Sequence, residues 1–163
     1  MTPAGPRWAP VVGVLVLVDQ LSKLAAVRGL EFQQPHPVVP GFNLTLMHNP
    51  GAAFSFLADA GGWQRWFFVA LAIGVSVLLV MMIRQTESSA RLHRAGLVLV
   101  LGGAIGNLID RLRLGYVIDF VELYYRHWSW PAFNVADSAI TVGAGFLLWS
   151  ALREPGGATA GKP

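Results

Sequence analysis

Four long apolar stretches, spaced through a chain of 163 residues, constrain this sequence more than any other feature. They lie near residues 8–27, 66–83, 95–112 and 132–152, and each approaches the roughly 20 residues that an α-helix needs to cross the hydrocarbon core of a bilayer. The second, "WFFVALAIGVSVLLVMMI" from Trp66 to Ile83, carries no charge. In lipid every backbone N–H and C=O has to be satisfied within the protein, and a helix does this inside a single segment. A composition of 54% hydrophobic and 13% charged residues lies outside the usual soluble range. The expected fold is an all-α membrane protein, a four-transmembrane-helix bundle.

The twelve Lys and Arg are scattered between the apolar runs. That spacing argues against a nucleic-acid partner, which needs a basic patch, and favours membrane lipid. Arg7 followed by Val11 to Val18 resembles the start of a secretory signal peptide. Asp19 and Lys23 interrupt that run and no A-x-A site follows, so the segment reads as a retained helix. With both termini in the cytoplasm, the inner side holds Arg7, Arg84, Arg91, Arg94, Arg153 and Lys162, and the outer side Lys23, Arg28, Arg65, Arg111, Arg113 and Arg126. The counts are equal, but the inner segments are shorter and "RQTESSARLHR" is dense in Arg, which favours this orientation. Zero cysteines exclude thiol nucleophiles, thiolate ligands and disulfides. His36, His48, His93 and His127 show no ligand spacing, so no metal is expected, and chemistry by paired carboxyls would need no organic cofactor.

Two extracytoplasmic regions follow, about 28–65 and 113–131. In the first, Phe42, Leu44 and Leu46 alternate with Asn43, Thr45 and Met47, the period of a short strand, which predicts a small β-rich region. In the second, Tyr124, Tyr125, Trp128 and Trp130 mix with charges, which predicts an interfacial loop or helix at headgroup level. Residues 1–152 are expected to form a single membrane-embedded domain. Residues 153–163, which contain "EPGGATAGKP", read as a disordered cytoplasmic tail.

Acids at the edges of apolar runs need a reason to be there. Asp119 is expected just beyond the outer end of the third helix and Asp137 in the first turns of the fourth, at the same membrane face. Two carboxyls in apolar surroundings cannot easily both ionise, so they share a proton and supply a base and an acid together. That pairing suits attack of water on an amide. Each Asp taken singly is more often a helix cap or a solvated group, and intramembrane acids also mark ion pathways, so a small transporter is the rival reading. Asp19 and Lys23 in "DQLSK" stand i,i+4 with the acid first, a helical ion pair that would tie the first helix to the bundle. In "LGGAIGNLIDRL", Gly102 and Gly106 permit close helix packing, and Asn107 and Asp110 share a face. Arg111 could pair with Asp110 or meet a lipid phosphate. In "NPGAAFS", the turn at Pro50 and Gly51 leaves room for close backbone approach to a substrate.

Five spaced motifs, "DQLSK" (19–23), "NPGAAFS" (49–55), "GNLIDR" (106–111), "VIDF" (117–120) and "FNVADS" (133–138), together resemble the bacterial lipoprotein signal peptidases, also called signal peptidase II, over roughly residues 8–152. The resemblance implies an intramembrane aspartic endopeptidase of the bacterial inner membrane. It would have four transmembrane helices, both termini cytoplasmic and an active site near the extracytoplasmic face. Its catalytic pair falls on Asp119 and Asp137, and its supporting residues on Asp19, Lys23, Asn49, Asn107, Asp110, Arg111 and Asn134, with Gly51 beside Asn49. The implied substrate is a diacylglyceryl-modified prolipoprotein, cut just before the lipidated cysteine. A monomer is expected. Asn134 and Asn49 are then candidates to orient an acid or hold substrate backbone.

Overall fold

The computed structural model describes residues 8–51, 62–87 and 89–153. Four helices, α1 (Ala9–Gly29), α2 (Trp63–Gln85), α3 (Arg91–Arg113) and α4 (Val135–Arg153), each have the length and apolarity to cross a membrane. Their 19 to 23 residues correspond to about 29 to 35 Å of helix axis. The expected segments are all present, with ends displaced by a few residues. The expected tail from residue 154 onward, and Ala52 to Ser55 of the "NPGAAFS" motif, lie outside the described residues.

The central element is α3, which packs against α1, α2 and α4. In lipid there is little hydrophobic gain from bringing two apolar helices together, so close packing has to hold them. The glycines of α3 allow it. A Cβ at Gly103 would run into the carbonyl of Ala136 on α4, and one at Gly106 would lie 2.6 Å from the carboxylate of Asp19 on α1. One side of the bundle centres on Val12, Leu79, Ile83, Leu97, Val98 and Leu101. Outward-facing residues stay apolar, including Trp66, Val77, Leu148 and Leu152, as a lipid-facing surface requires.

At one end of the bundle sits a four-stranded antiparallel sheet, β1 (His36–Val39), β2 (Phe42–Asn49), β3 (Val117–Tyr125) and β4 (Trp128–Ser129), in the order β1-β2-β3-β4. The period-two run expected at Phe42 to Met47 is β2. Residues 117–125, expected within an interfacial loop or helix, are a strand instead. "VIDFVELYY" is rich in β-branched and aromatic residues, and β2 offers it a partner edge. Its Tyr125, together with Trp128 and Trp130, is exposed, which suits headgroup level. Ile118 and Phe120 pack with Ala26 and Leu46 beneath the sheet, while Val117 and Asp119 turn to the opposite face.

Candidate active site

The register of the sheet brings distant residues together. Met47 pairs with Asp119 and Asn49 with Val117, and an irregularity between Leu44 and Met47 realigns β2 at this level. After the turn at Arg126, whose φ is 55°, and the short β4, the chain returns along β3. Phe133 bridges Val121 and its carbonyl accepts from the N–H groups of Phe120 and Val121. This return leaves Asn134 beside Asp119 at the start of α4.

Asn134 occupies the cap position before Val135. Its Oδ1 accepts from the Asp137 N–H at 2.9 Å, and the Asp137 carboxylate accepts from the Asn134 N–H at 3.2 Å, a reciprocal capping box. Asp137 is thus part of a cap, as a lone acid near a helix start most often is, yet its other oxygen accepts from Asn107 Nδ2 at 2.7 Å. Because the cap turns Oδ1 of Asn134 toward the helix, its Nδ2 faces the other way and donates to Asp119 at 2.7 Å. The second oxygen of Asp119 accepts from Asn49 Nδ2 at 3.2 Å. Asn49 is oriented the same way, with Oδ1 accepting from the Gly51 N–H at 3.1 Å. Three asparagine side chains therefore present NH₂ groups to two carboxylates.

Behind them lies a buried ionic cluster. Lys23 donates to Asp19, Asp110 and Asn107, each at 2.9 Å, which uses all three of its protons. Asp19 also accepts from the Ala136 N–H at 2.9 Å, so it ties α1 both to α3, through Lys23, and to the first turn of α4. Asp110 accepts from Gln20 at 2.9 Å and from the Ile118 N–H at 3.2 Å, which fixes the start of β3. The suggested pairing of Asp110 with Arg111 does not form: neighbours on a helix point about 100° apart, and Arg111 instead donates to the Gly51 carbonyl at 3.1 Å while its guanidinium lies over Phe68. Burying this many charges is tolerable because each has opposite charge or donors around it.

Both carboxylates open onto one cleft of about 730 Å³, which also includes Asn49, Asn107 and Arg111 and has apolar walls from Leu123, Trp130, Ile140 and Val142. Asp119 is 2% exposed. Burial, and next the negative charge of Asp137, push its pKa up to about 7 against the opposing hydrogen bonds of Asn49 and Asn134. Two contributors escaped the sequence reading. Gln20 sits inside the "DQLSK" motif, and its part was readable only once α3 was known to face it. His48 stacks between Phe32 and Tyr116 at centroid distances of 4.6 and 4.2 Å, bracing the strand next to Asn49, and burial lowers its pKa. Among the described residues no three His, Asp or Glu side chains converge as metal ligands would.

The chain matches the family model described as signal peptidase (SPase) II over residues 11–153. It is 50% identical to a lipoprotein signal peptidase of Teredinibacter turnerae over 91% of this chain and 89% of that one. It is 47% identical to a lipoprotein signal peptidase of Polynucleobacter necessarius over 94% of each. A solved bacterial membrane enzyme superposes with a TM-score of 0.84 at 25% identity, covering 98% of this chain and 96% of its own.

Proposed function

Because the chain belongs to the signal peptidase II family, we propose that Asp119 and Asp137 are the catalytic pair with which it removes signal peptides from prolipoproteins. It is a protease of aspartic type and a membrane protein, and the transporter reading is set aside. The observation that supports the assignment is the meeting of two carboxylates in one cleft, bridged by Asn134, with Asp119 held near neutrality. One ionised and one protonated carboxyl can together remove a proton from water and donate one to a peptide carbonyl. Asn49, Asn107 and Asn134 orient the pair. Arg111 holds the Gly51 backbone beside it, and Asp19, Lys23 and Asp110 lock the three elements on which it rests.

The same reading places both termini in the cytoplasm and the cleft at the extracytoplasmic face, in a single membrane-embedded domain over residues 1–152 that works as a monomer. The orientation is supported by the clustering of Arg84, Arg91, Arg94 and Arg153 at the end of the bundle opposite the sheet. The substrate is a precursor whose cysteine carries a diacylglyceryl group, cut just before that cysteine. A signal helix alone can slide in register, whereas acyl chains, at about 0.8 kcal/mol per buried CH₂, hold one residue at a fixed depth beside the pair. Cleavage assays on matched precursors with and without the diacylglyceryl group test this. Asp119→Asn and Asp137→Asn should each remove nearly all cleavage of the lipidated precursor, and wild-type enzyme should leave the unlipidated one intact. Near-normal turnover by either variant overturns the pair, and equal rates on the two precursors overturn the role of the lipid.

A further inference from the structure

We propose that the two carboxylates have separate duties: Asp137 is the ionised partner that takes a proton from water, Asp119 the protonated partner that donates to the carbonyl oxygen, and Lys23 is a positioning residue that sets this asymmetry through Asn107. The proposal rests on the assignment of Asp119 and Asp137 as the catalytic pair and says which does what.

An asparagine amide can usually turn either way, but Asn107 cannot. Lys23 only donates, and it points at Oδ1 of Asn107 from 2.9 Å, with Nδ2 of Asn134 a second, longer donor at 3.2 Å, so Nδ2 of Asn107 must face Asp137. Asp19 and Asp110 hold the ammonium of Lys23 from either side and keep it there. Asp137 therefore receives a donor whose direction a buried cation dictates, together with the N–H of Asn134. It also lies in the first turn of α4, where the helix dipole favours negative charge. Asp119 stands on a strand without a helix terminus and is almost fully buried, and neither of its two donors, Asn49 and Asn134, is held by a cation through its own carbonyl as Asn107 is. The titratable and charged groups around the pair are Asp19 and Lys23 from α1, Asp110 and Arg111 from α3, and His48 from β2. The elevation of Asp119 to about 7 agrees with its holding the proton at rest.

The protons balance through a full turnover. Water oxygen bonds to the carbonyl carbon as Asp137 takes one water proton and Asp119 gives its proton to the carbonyl oxygen, which forms a gem-diol. Asp137 then protonates the peptide nitrogen, the C–N bond breaks, and one gem-diol hydroxyl returns its proton to Asp119. The resting state is restored, with Asp119 protonated and Asp137 ionised.

Carboxyl ¹³C labelling of the five aspartates, with resonances assigned by single Asp→Asn variants, reads the two groups in wild-type enzyme. The expected result is that Asp119 changes state near 7 while Asp137 is already a carboxylate on the acid side of that transition. Asn107→Ala keeps the Lys23 pairs with Asp19 and Asp110, so the bundle is held while the link is cut. In that variant the acid limb of the pH–rate bell, which belongs to the pair, should move up by about one pH unit, the tenfold change expected for one lost hydrogen bond to a charge. In the same variant kcat should fall at least tenfold and KM change little. Lys23→Met, where it folds, should move the limb the same way. Titration of Asp137 at higher pH than Asp119 overturns the assignment, and an unmoved pH profile in Asn107→Ala overturns the role of Lys23. Retained cleavage by the Asp→Asn variants would be a different failure, that of the catalytic pair itself.

Discussion

At Asp119 a single residue carries opposed demands of stability and function. Its carboxyl is buried against Asn49 and Asn134 with its pKa raised from the ordinary carboxylate range to about 7. An acid whose folded pKa is raised binds its proton more tightly in the folded state. Its contribution is therefore favourable below the unfolded value near 4, and is lost as pH rises through 7. Above 7 the wild-type protein keeps an ionised carboxylate at a cost of up to about 4 kcal/mol by the size of the shift. Replacing Asp119 by Asn removes that cost, less about 1 kcal/mol because the new amide turns an NH₂ toward one of two existing NH₂ donors. Thermal melts in detergent should show Asp119→Asn more stable than wild type at pH 8, with the gain gone at pH 5. A variant equally or less stable at both values would mean that the carboxyl is not penalised by its site.

On the scale of elements, the site depends on how closely α3 lies against α4. Gly103 faces the Ala136 carbonyl and Ile140, and Ala136 stands between Asn134 and Asp137 on the first turn of α4. A methyl group at Gly103 has to push that turn away, and with it the cap that aims Asn134 at Asp119. Gly103→Ala is expected to lower the melting temperature and reduce turnover more than tenfold, since misplacement by about 1 Å can cost two orders of magnitude. Gly145, also on α4, has nothing within 4 Å of an added Cβ. Gly145→Ala should be neutral or stabilising by up to about 1 kcal/mol, the helix-propensity gain. Equal effects of the two substitutions in paired melts and assays would show that helix contact at Gly103 does not govern the site.

For the whole molecule, the arrangement suits a substrate that is itself partly in the membrane. The bundle shows apolar side chains outward, the sheet caps one end, and the cleft between sheet and α4 has both carboxylates and an apolar wall. Such a cleft can take a peptide bond from a helix whose lipid chains stay in the bilayer. The proposed orientation rests on charge density and can be checked directly, because the chain has no cysteine of its own. With the sheet outside, a membrane-impermeant thiol reagent applied to intact spheroplasts should label Gln34→Cys and spare Ser89→Cys, both exposed positions. The opposite pattern would invert the proposed topology.

The sequence by itself determined the membrane class, the four helices to within a few residues, β2 and most of the residues that meet in the candidate site, though not Gln20 or His48. Those features depend on run length, periodicity and residue type, which act over a few neighbours. The strand at Val117 to Tyr125 is not legible locally, where its aromatic and charged residues suit an interfacial loop or helix equally well, because its partner edge lies about 70 positions earlier, at Asn49. The direction of Asp110 toward Lys23, the part of Gln20, and the orientation of the Asn107 amide were likewise decided by contacts between α1 and α3 that span more than 80 positions. Local rules state what each residue can donate, accept or bury. Only the packed structure decides which of the available partners it meets, because a buried hydrogen bond is chosen by the register of whole elements and by the cost of leaving any alternative unsatisfied.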